Sequence, residues 1–429
     1  MKARFFVALV VSVVLGGVLS ATPPRVQPLL GIGDNPPAAP PTTGADAFFD
    51  DNSLQEIRLS INGRDWRTLK DNYLDNTYYP TDFRWRDQVV RNAGIRSRGT
   101  GSRSGVKPGL RVDFDRYTTD QKFLGLKSVV LRNNTQDASN MHERLSMLLF
   151  RRLGLPAPRE AHTKLYVNDV YAGLFTLVES VDKDYLKRTF AEDTGYLYKY
   201  DYPADGTPYY FQDKGSDPAQ YVPLPFKPET HESDPRGEFI AQLVQAVNQS
   251  SAASFESAVG EYLNLRNALR HVAVEVFVGD YDGFIGNYGI NNFYFYRFNN
   301  QKLFSFIAWD KSEAFKAGPE SSVFHNLNDV PEANRNRLVS RALSFPSLRN
   351  TFLDALLECA QSAAELTGGD ARGWMEREVQ KEYTQIRDAA RADTEKPYSN
   401  DSFEQAVTAL TDYARRRSGL VTAEVNGSR

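Results

Sequence analysis

The chain has 429 residues, 41% hydrophobic and 24% charged, with a formal net charge of −3 and one cysteine. That length holds more than one hundred-residue core. The near-neutral balance excludes broad electrostatic attraction to nucleic acid or to a membrane surface, and the lone Cys359 excludes an internal disulfide framework. Lys2 and Arg4 precede an apolar run at residues 5–19, followed by the small residues Ser20 and Ala21. This is a secretory signal-peptide pattern over 1–21. The run is shorter than the ~20 residues of a typical membrane span, and no other stretch is apolar enough. The expectation is an exported protein, secreted, periplasmic or at the cell surface, with no membrane span in its mature chain. Residues 22–46, rich in Pro, Gly and Thr, read as a flexible linker, with ordered structure from Ala47.

A strand-rich part is expected over 47–180 and a helical part over 181–429. Alternation at Ile57, Leu59 and Ile61 gives a strand, and the following residues read as a short helix. Strands are expected at 88–98, 109–114 and 127–131. Between the first two lies a Gly/Ser/Arg loop with Arg98, Gly99, Gly101, Arg103, Gly105 and Lys107. Its glycines permit close backbone approach, and its cations suit a phosphate; an ordinary flexible hairpin is the alternative. It is neither Walker A nor G-x-G-x-x-G. A helix begins at Asn140, which can cap it with Glu143 at the capping-box position, and Gly154 and Pro156 end it. Glu143 has a second possible role as partner of a phosphate-binding lysine. Residues 163–179 form a hairpin about the turn Asn168-Asp169. Its second strand runs out through Glu179 and Val181 as a hinge would, and 182–190 read as helical. Residues 196–228, aromatic and Pro-rich, read as a long, partly ordered insertion. Helices follow at 235–247, 255–262 and 265–278, and again at 334–343, 348–367, 372–393 and 402–425. The class is α+β.

The stretch the chain is organised around is 272–310, where a helix breaks at Gly279 into a loop with Asp280 and Asp282. Two aromatic strands follow, 293–298 and 302–308, the second stopping on Trp309-Asp310. An Asp in a loop, an Asn at the mouth of one strand and an Asp at the end of its partner can converge. Such oxygens suit Mg²⁺ and a phosphate ester. Protein kinases present the same order. Asp282 is the choice for the base that receives or orients a hydroxyl proton, with Asp280 as alternative. Asn292 is preferred to Asn287, because its place before the strand fixes where its oxygen points. Asp310 is a metal ligand or, alternatively, a buried acid paired with an Arg or backbone amides. The five histidines form no H-x-x-x-H pair and lie near no cysteine pair, which argues against zinc. No G-x-S-x-G nucleophile elbow is present.

AGIRSRGTGSRSG at 93–105 with Lys107-Pro108, LYVNDVYAG at 165–173 running to ESVD at 179–182, NNFYFY at 291–296, and Trp309-Asp310 together resemble the spore coat protein H (CotH) kinase family. The ordered set covers nearly the whole mature chain. The resemblance implies an atypical, minimal protein-kinase-like two-lobed fold. It implies Mg²⁺- and ATP-dependent phosphorylation of Ser or Thr on an exported protein. By the same resemblance the loop 99–105 with Arg98 and Lys107 faces the phosphates, with Lys127 as the alternative lysine. Glu179 to Val181 hold the base, Asp282 is the catalytic-loop acid, and Asn292 and Asp310 hold the metal. One departure stands out: the family often carries W-D-x-D, and this chain has Trp309-Asp310-Lys311-Ser312. Lys311 also adds positive charge beside Asp310. A kinase-like binding or structural module at the cell surface, without turnover, is therefore the second reading.

Overall fold

The computed structural model describes residues 44–203, 205–327 and 330–429. The expected signal peptide and nearly all of the expected linker lie outside these residues. The end of that linker is already packed, since Ala45 is fully buried beside Phe48.

Seven strands close a barrel: β1 (Gln55–Ile61), β2 (Tyr79–Trp85), β3 (Gln88–Ser97), β4 (Leu110–Asp113), β5 (Ser128–Arg132), β6 (Glu160–Val167) and β7 (Val170–Glu179). Their order around it is β1-β2-β3-β4-β5-β7-β6. Every pairing is antiparallel except β1 with β6, which closes the ring. The turn residues Asn168 and Asp169, with φ of 50° and 63°, give the left-handed pair a tight hairpin needs. Asn168 also ties the closure: its N–H donates to Leu59 O at 2.9 Å, and its Oδ1 accepts from Ile61 N at 2.9 Å. Inward positions of β1, Ile57, Leu59 and Ile61, meet Phe83, Ile95, Val112 and Leu131. Phe48 enters this core edge-on to Phe83, Trp85 and Phe123. A buried Phe of this kind contributes about 2–3 kcal/mol.

The helix α1 (Gly63–Asp71) follows β1, capped by Asn62, whose Oδ1 accepts from Arg64 N at 2.8 Å. Between β5 and β6 runs α2 (His142–Arg152). Asn140 is not its cap. Asp137 Oδ2 accepts from His142 N at 2.8 Å, and Asn140, at φ 62°, accepts instead from the Tyr398 hydroxyl.

After β7 the chain passes through residues 180–182 into α3 (Lys183–Phe190), capped by Asp182. The expected insertion is a structural element. It contains β8 (Tyr196–Tyr200) and β9 (Phe226–Pro228), which join β10 (Phe293–Arg297) and β11 (Phe304–Ala308) in a sheet of order β11-β10-β8-β9. One face of this sheet, with Tyr198, Tyr200, Phe226, Phe293, Phe295 and Phe306, packs into the main core. The other face, with Tyr294, Tyr296, Ile307 and Trp309, meets Val178, Val181 and Tyr185 at the barrel exit. Strand alternation thus lets one hairpin bury two aromatic faces.

The helices α4 (Glu238–Gln249), α5 (Phe255–Gly260), α6 (Leu265–Phe277), α7 (Arg337–Ala342), α8 (Pro346–Ala364), α9 (Trp374–Ala392) and α10 (Asn400–Gly427) complete the chain. The fold is α+β, strand-rich first and helical after, and the described residues fall in one compact unit. Helix α9 locks the barrel to the helical part: Glu382 takes Arg144 of α2 and His162 of β6, all fully buried. Among the described residues, no helix is long and apolar enough to cross a membrane.

Candidate functional site

Register explains why separate stretches meet. Phe293 pairs with Ala308, so Asn292 and Asp310 leave the same end of the β10–β11 hairpin. Both have left-handed backbones, φ 56° and 50°. Non-glycine residues in this region are uncommon, and they concentrate where strain serves a site. The loop before β10 is held from beneath. Arg417 of α10 donates to the carbonyls of Val276 and Phe277, and Tyr413 OH donates to Phe277 O, satisfying the C-terminal carbonyls of α6. A Cβ on Gly283 would lie 2.6 Å from the Glu275 carboxyl, so only glycine fits there.

Asp282 is fixed by amides. Its Oδ1 accepts from Asn291 Nδ2 at 3.0 Å and its Oδ2 from Asn292 Nδ2 at 2.8 Å. Its own N–H donates to Asp280 Oδ1 at 3.1 Å. Burial pushes the Asp282 carboxyl above its ordinary range against the Asn291 hydrogen bond, and the Asp310 charge pushes it further. Asn292 turns its nitrogen to Asp282. No described residue donates a hydrogen bond to its Oδ1.

Asp310 faces a guanidinium that the sequence reading did not single out. Arg132, the last residue of β5, places Nη1 2.7 Å from Asp310 Oδ1 and Nε 3.1 Å from Glu143 Oε1. Burial would raise the Asp310 carboxyl, but Arg132, then Arg98 and the Ser312 hydroxyl, hold it down at about 2. Glu143 pairs with this arginine rather than with a lysine, and its Oε2 accepts from Lys311 N at 2.5 Å. Arg98 and Arg132 both lie against the Trp309 ring, 5.8 and 5.1 Å from its centroid. Burial and the Arg132 charge lower the Arg98 guanidinium to about 10. A narrow cleft open to solvent, with room of only about 20 Å³, runs beside this group, lined by Arg98, Ser102, Gly109, Arg132, Glu143 and Ser312 among others.

The remaining expected residues divide. Arg98 borders the cleft. Gly99, at φ 114°, gives the loop its sharp turn, and a Cβ there would strike Ser102 Oγ at 2.6 Å; at Gly101 a Cβ would make only an ordinary contact, 3.9 Å from Gln136 Nε2. The expectation for Lys107 is corrected. Its side chain is 1% exposed, with the ammonium 2.6 Å from Asp393 Oδ2 and donating to Leu174 O at 2.8 Å, so it clasps the loop to the end of α9 and is withdrawn from the cleft. Lys127 pairs with Asp115 at 3.1 Å. The Glu179 carboxylate is buried between Arg159 and Arg188, which hold it below its ordinary range despite burial. Only the backbone of this stretch is left for a ligand. Val181 packs in the cluster that contains Trp309. Asn287 is exposed, its Oδ1 engaged with Asn326 Nδ2 and the His325 ring. Asp280 is buried against Lys311. Lys311 does not project beside Asp310: its side chain is fully buried and points away, between Glu275 and Asp280.

Among the described residues no three His, Cys, Asp or Glu side chains cluster as a metal cage. Asp310 Oδ2 and Asn292 Oδ1 nevertheless fit Mg²⁺, which commonly takes one or two protein oxygens and completes its shell with phosphate and water. Arg132 was missed because its signal is faint: an arginine closing the buried strand Ser128-Val-Val-Leu-Arg132.

The family model described as CotH kinase protein matches residues 95–421, and the chain belongs to that family. It is similar to inner spore coat protein H of Bacillus subtilis (strain 168), 24% identical over 371 residues, covering 86% of this chain and 96% of that protein. Among solved structures it resembles the Helicobacter pylori proinflammatory kinase CtkA at 10% identity, covering 77% of this chain and 94% of that one. The TM-score is 0.29, too slight a likeness to support any inference.

Proposed function

We propose that this chain is an exported, Mg²⁺-dependent kinase with a two-lobed, minimal protein-kinase-like fold. It transfers the γ-phosphoryl group of ATP to a Ser or Thr hydroxyl of a secreted or surface protein. Family membership supports the reaction class, and one observation carries the reading: the hairpin register that brings Asn292 and Asp310 together beside Asp282. In the transfer the hydroxyl oxygen attacks the γ-phosphorus. The bond to the β–γ bridging oxygen breaks, ADP leaves, and the hydroxyl proton passes to the Asp282 carboxylate. A carboxyl raised by burial is a better base than a free one. Mg²⁺ held by Asp310 and Asn292 would neutralise phosphate charge. Arg132 and Arg98, in the role first given to Lys107, would face the phosphates, and the backbone of residues 179–181 would meet the base.

The test is calorimetric titration of the mature chain with ATP, with and without Mg²⁺, followed by transfer of labelled phosphate to Ser-rich exported proteins. Metal-dependent binding and transfer support the reading; no ATP binding by the intact protein overturns it. The second reading, a binding module without turnover, is favoured by one feature. Arg132 and the Ser312 hydroxyl both engage Asp310 Oδ1, where the family often supplies a second acid two residues on. Tight ATP binding without transfer would support that reading.

A further inference from the structure

Lys311 joins every part of this site from a fully buried position. Its side chain is fully buried, and its ammonium lies 2.7 Å from Glu275 Oε1 and 2.8 Å from Asp280 Oδ2. The ammonium also donates to the carbonyl of Asn292 at 3.3 Å. Asp280 in turn accepts the Asp282 N–H, and Asn292 donates to Asp282. At its other end, the Lys311 backbone follows Asp310 directly and donates to Glu143, which holds Arg132. One residue therefore bears on Asp282 through Asp280, on Asn292 through its carbonyl, and on Asp310 through the chain.

We infer that Lys311 is a positioning residue that couples the placement of Asp282 to that of Asp310 through the buried Lys311–Asp280 pair. The functional part of this inference rests on the proposed kinase reading; the coupling itself does not. A lysine is costly in such a place unless paired, and a simple charge compensator for Glu275 alone would not need to reach Asp280 and Asn292 as well. The reach matters because transfer geometry is sensitive to displacements of about 1 Å.

The K311M variant alone leaves two buried carboxyls without a cation and is expected to unfold. Two other variants decide. D280N keeps an amide oxygen for the Asp282 N–H but weakens the hold on the lysine. K311M/D280N removes the pair together and leaves one buried carboxyl instead of two, Glu275, which keeps the Phe284 N–H and has the His271 ring 3.3 Å away. Amide hydrogen exchange reads the coupling: D280N should speed exchange at the position 311 amide by about 10-fold, with α8 and α10 unchanged. The double variant should keep ATP affinity within about 3-fold while phosphoryl transfer falls about 100-fold. Exchange at 311 unaltered by D280N would overturn the coupling, and a folded double variant transferring at the normal rate would overturn its role in the reaction. If the unaltered protein transfers no phosphate, the kinase reading falls with the functional half of this inference, and the exchange result still decides the coupling.

Discussion

Arg132 Nη1 lies 2.7 Å from Asp310 Oδ1, so the acid that closes the aromatic hairpin is met by a cation from the barrel. Nearly 180 residues separate them in sequence, yet the pair fixes the electrostatics of the cleft. Replacing Arg132 by Gln should destabilise the protein by about 3 kcal/mol, because Asp310 and Glu143 lose their shared counter-charge. The Asp310 carboxyl, now at about 2 against an ordinary 3.8, contributes stability present above pH 4 and lost as pH falls toward 2. Urea unfolding across that range should show R132Q losing less stability on acidification than the unaltered protein. An equal loss would sink the assignment.

Among the described residues Asp282 forms no ion pair, and it is held by two side-chain amides. D282N keeps one acceptor oxygen for these amides and turns a nitrogen onto the other, so it should lose about 1–3 kcal/mol of stability yet fold and bind ATP within a few-fold of the unaltered protein. Phosphoryl transfer should fall by roughly 10²–10⁴, the range for losing a general base. Labelled-phosphate transfer beside calorimetric binding measures both quantities; full transfer by D282N would remove it from the mechanism.

Lys107 tests the corrected reading of the Gly/Ser/Arg loop. K107M should cost about 3 kcal/mol of stability, since the buried Asp393 keeps only backbone N–H donors and loses its cation. ATP affinity of the folded protein should change by less than about 3-fold, because a binding group outside the cleft has little differential contact with the ligand. A large loss of affinity at unchanged stability would restore the phosphate role.

The Lys311 network has its own pH signature. Burial and the neighbouring Glu275 raise Asp280 to about 7 despite Lys311, so the folded state holds this proton longer than the unfolded chain. Its sign is therefore the reverse of that for Asp310: the contribution is full below pH 4 and is lost as pH rises toward 7. Unfolding at pH 4.5 and pH 7 should show a smaller drop for D280N than for the unaltered protein, and an identical drop would contradict it.

Period and turn chemistry made most elements legible. The alternation of Ile57, Leu59 and Ile61 and the Asn168-Asp169 turn are local signals, and the structure repeats them. The strand at Tyr196-Leu-Tyr-Lys-Tyr200 was read as part of an insertion, although it alternates, because its partner in β10 lies almost a hundred residues on. Lys107 was misread for a related reason: a cation in a glycine-rich loop suggests phosphate, and its true partner, Asp393, sits at the far end of α9.

The amino-acid sequence by itself determined the α+β class, the order of Asp282, Asn292 and Asp310, and the family. These depend on side-chain period and on motif order, which are properties of neighbouring residues. Only the tertiary structure decided which cation meets which acid. Arg132 faces the cleft, while Lys107 and Lys311 are withdrawn into buried pairs. A charged group taken out of water must find its partner wherever the fold brings one within about 3–4 Å, and that distance bears no relation to separation along the chain.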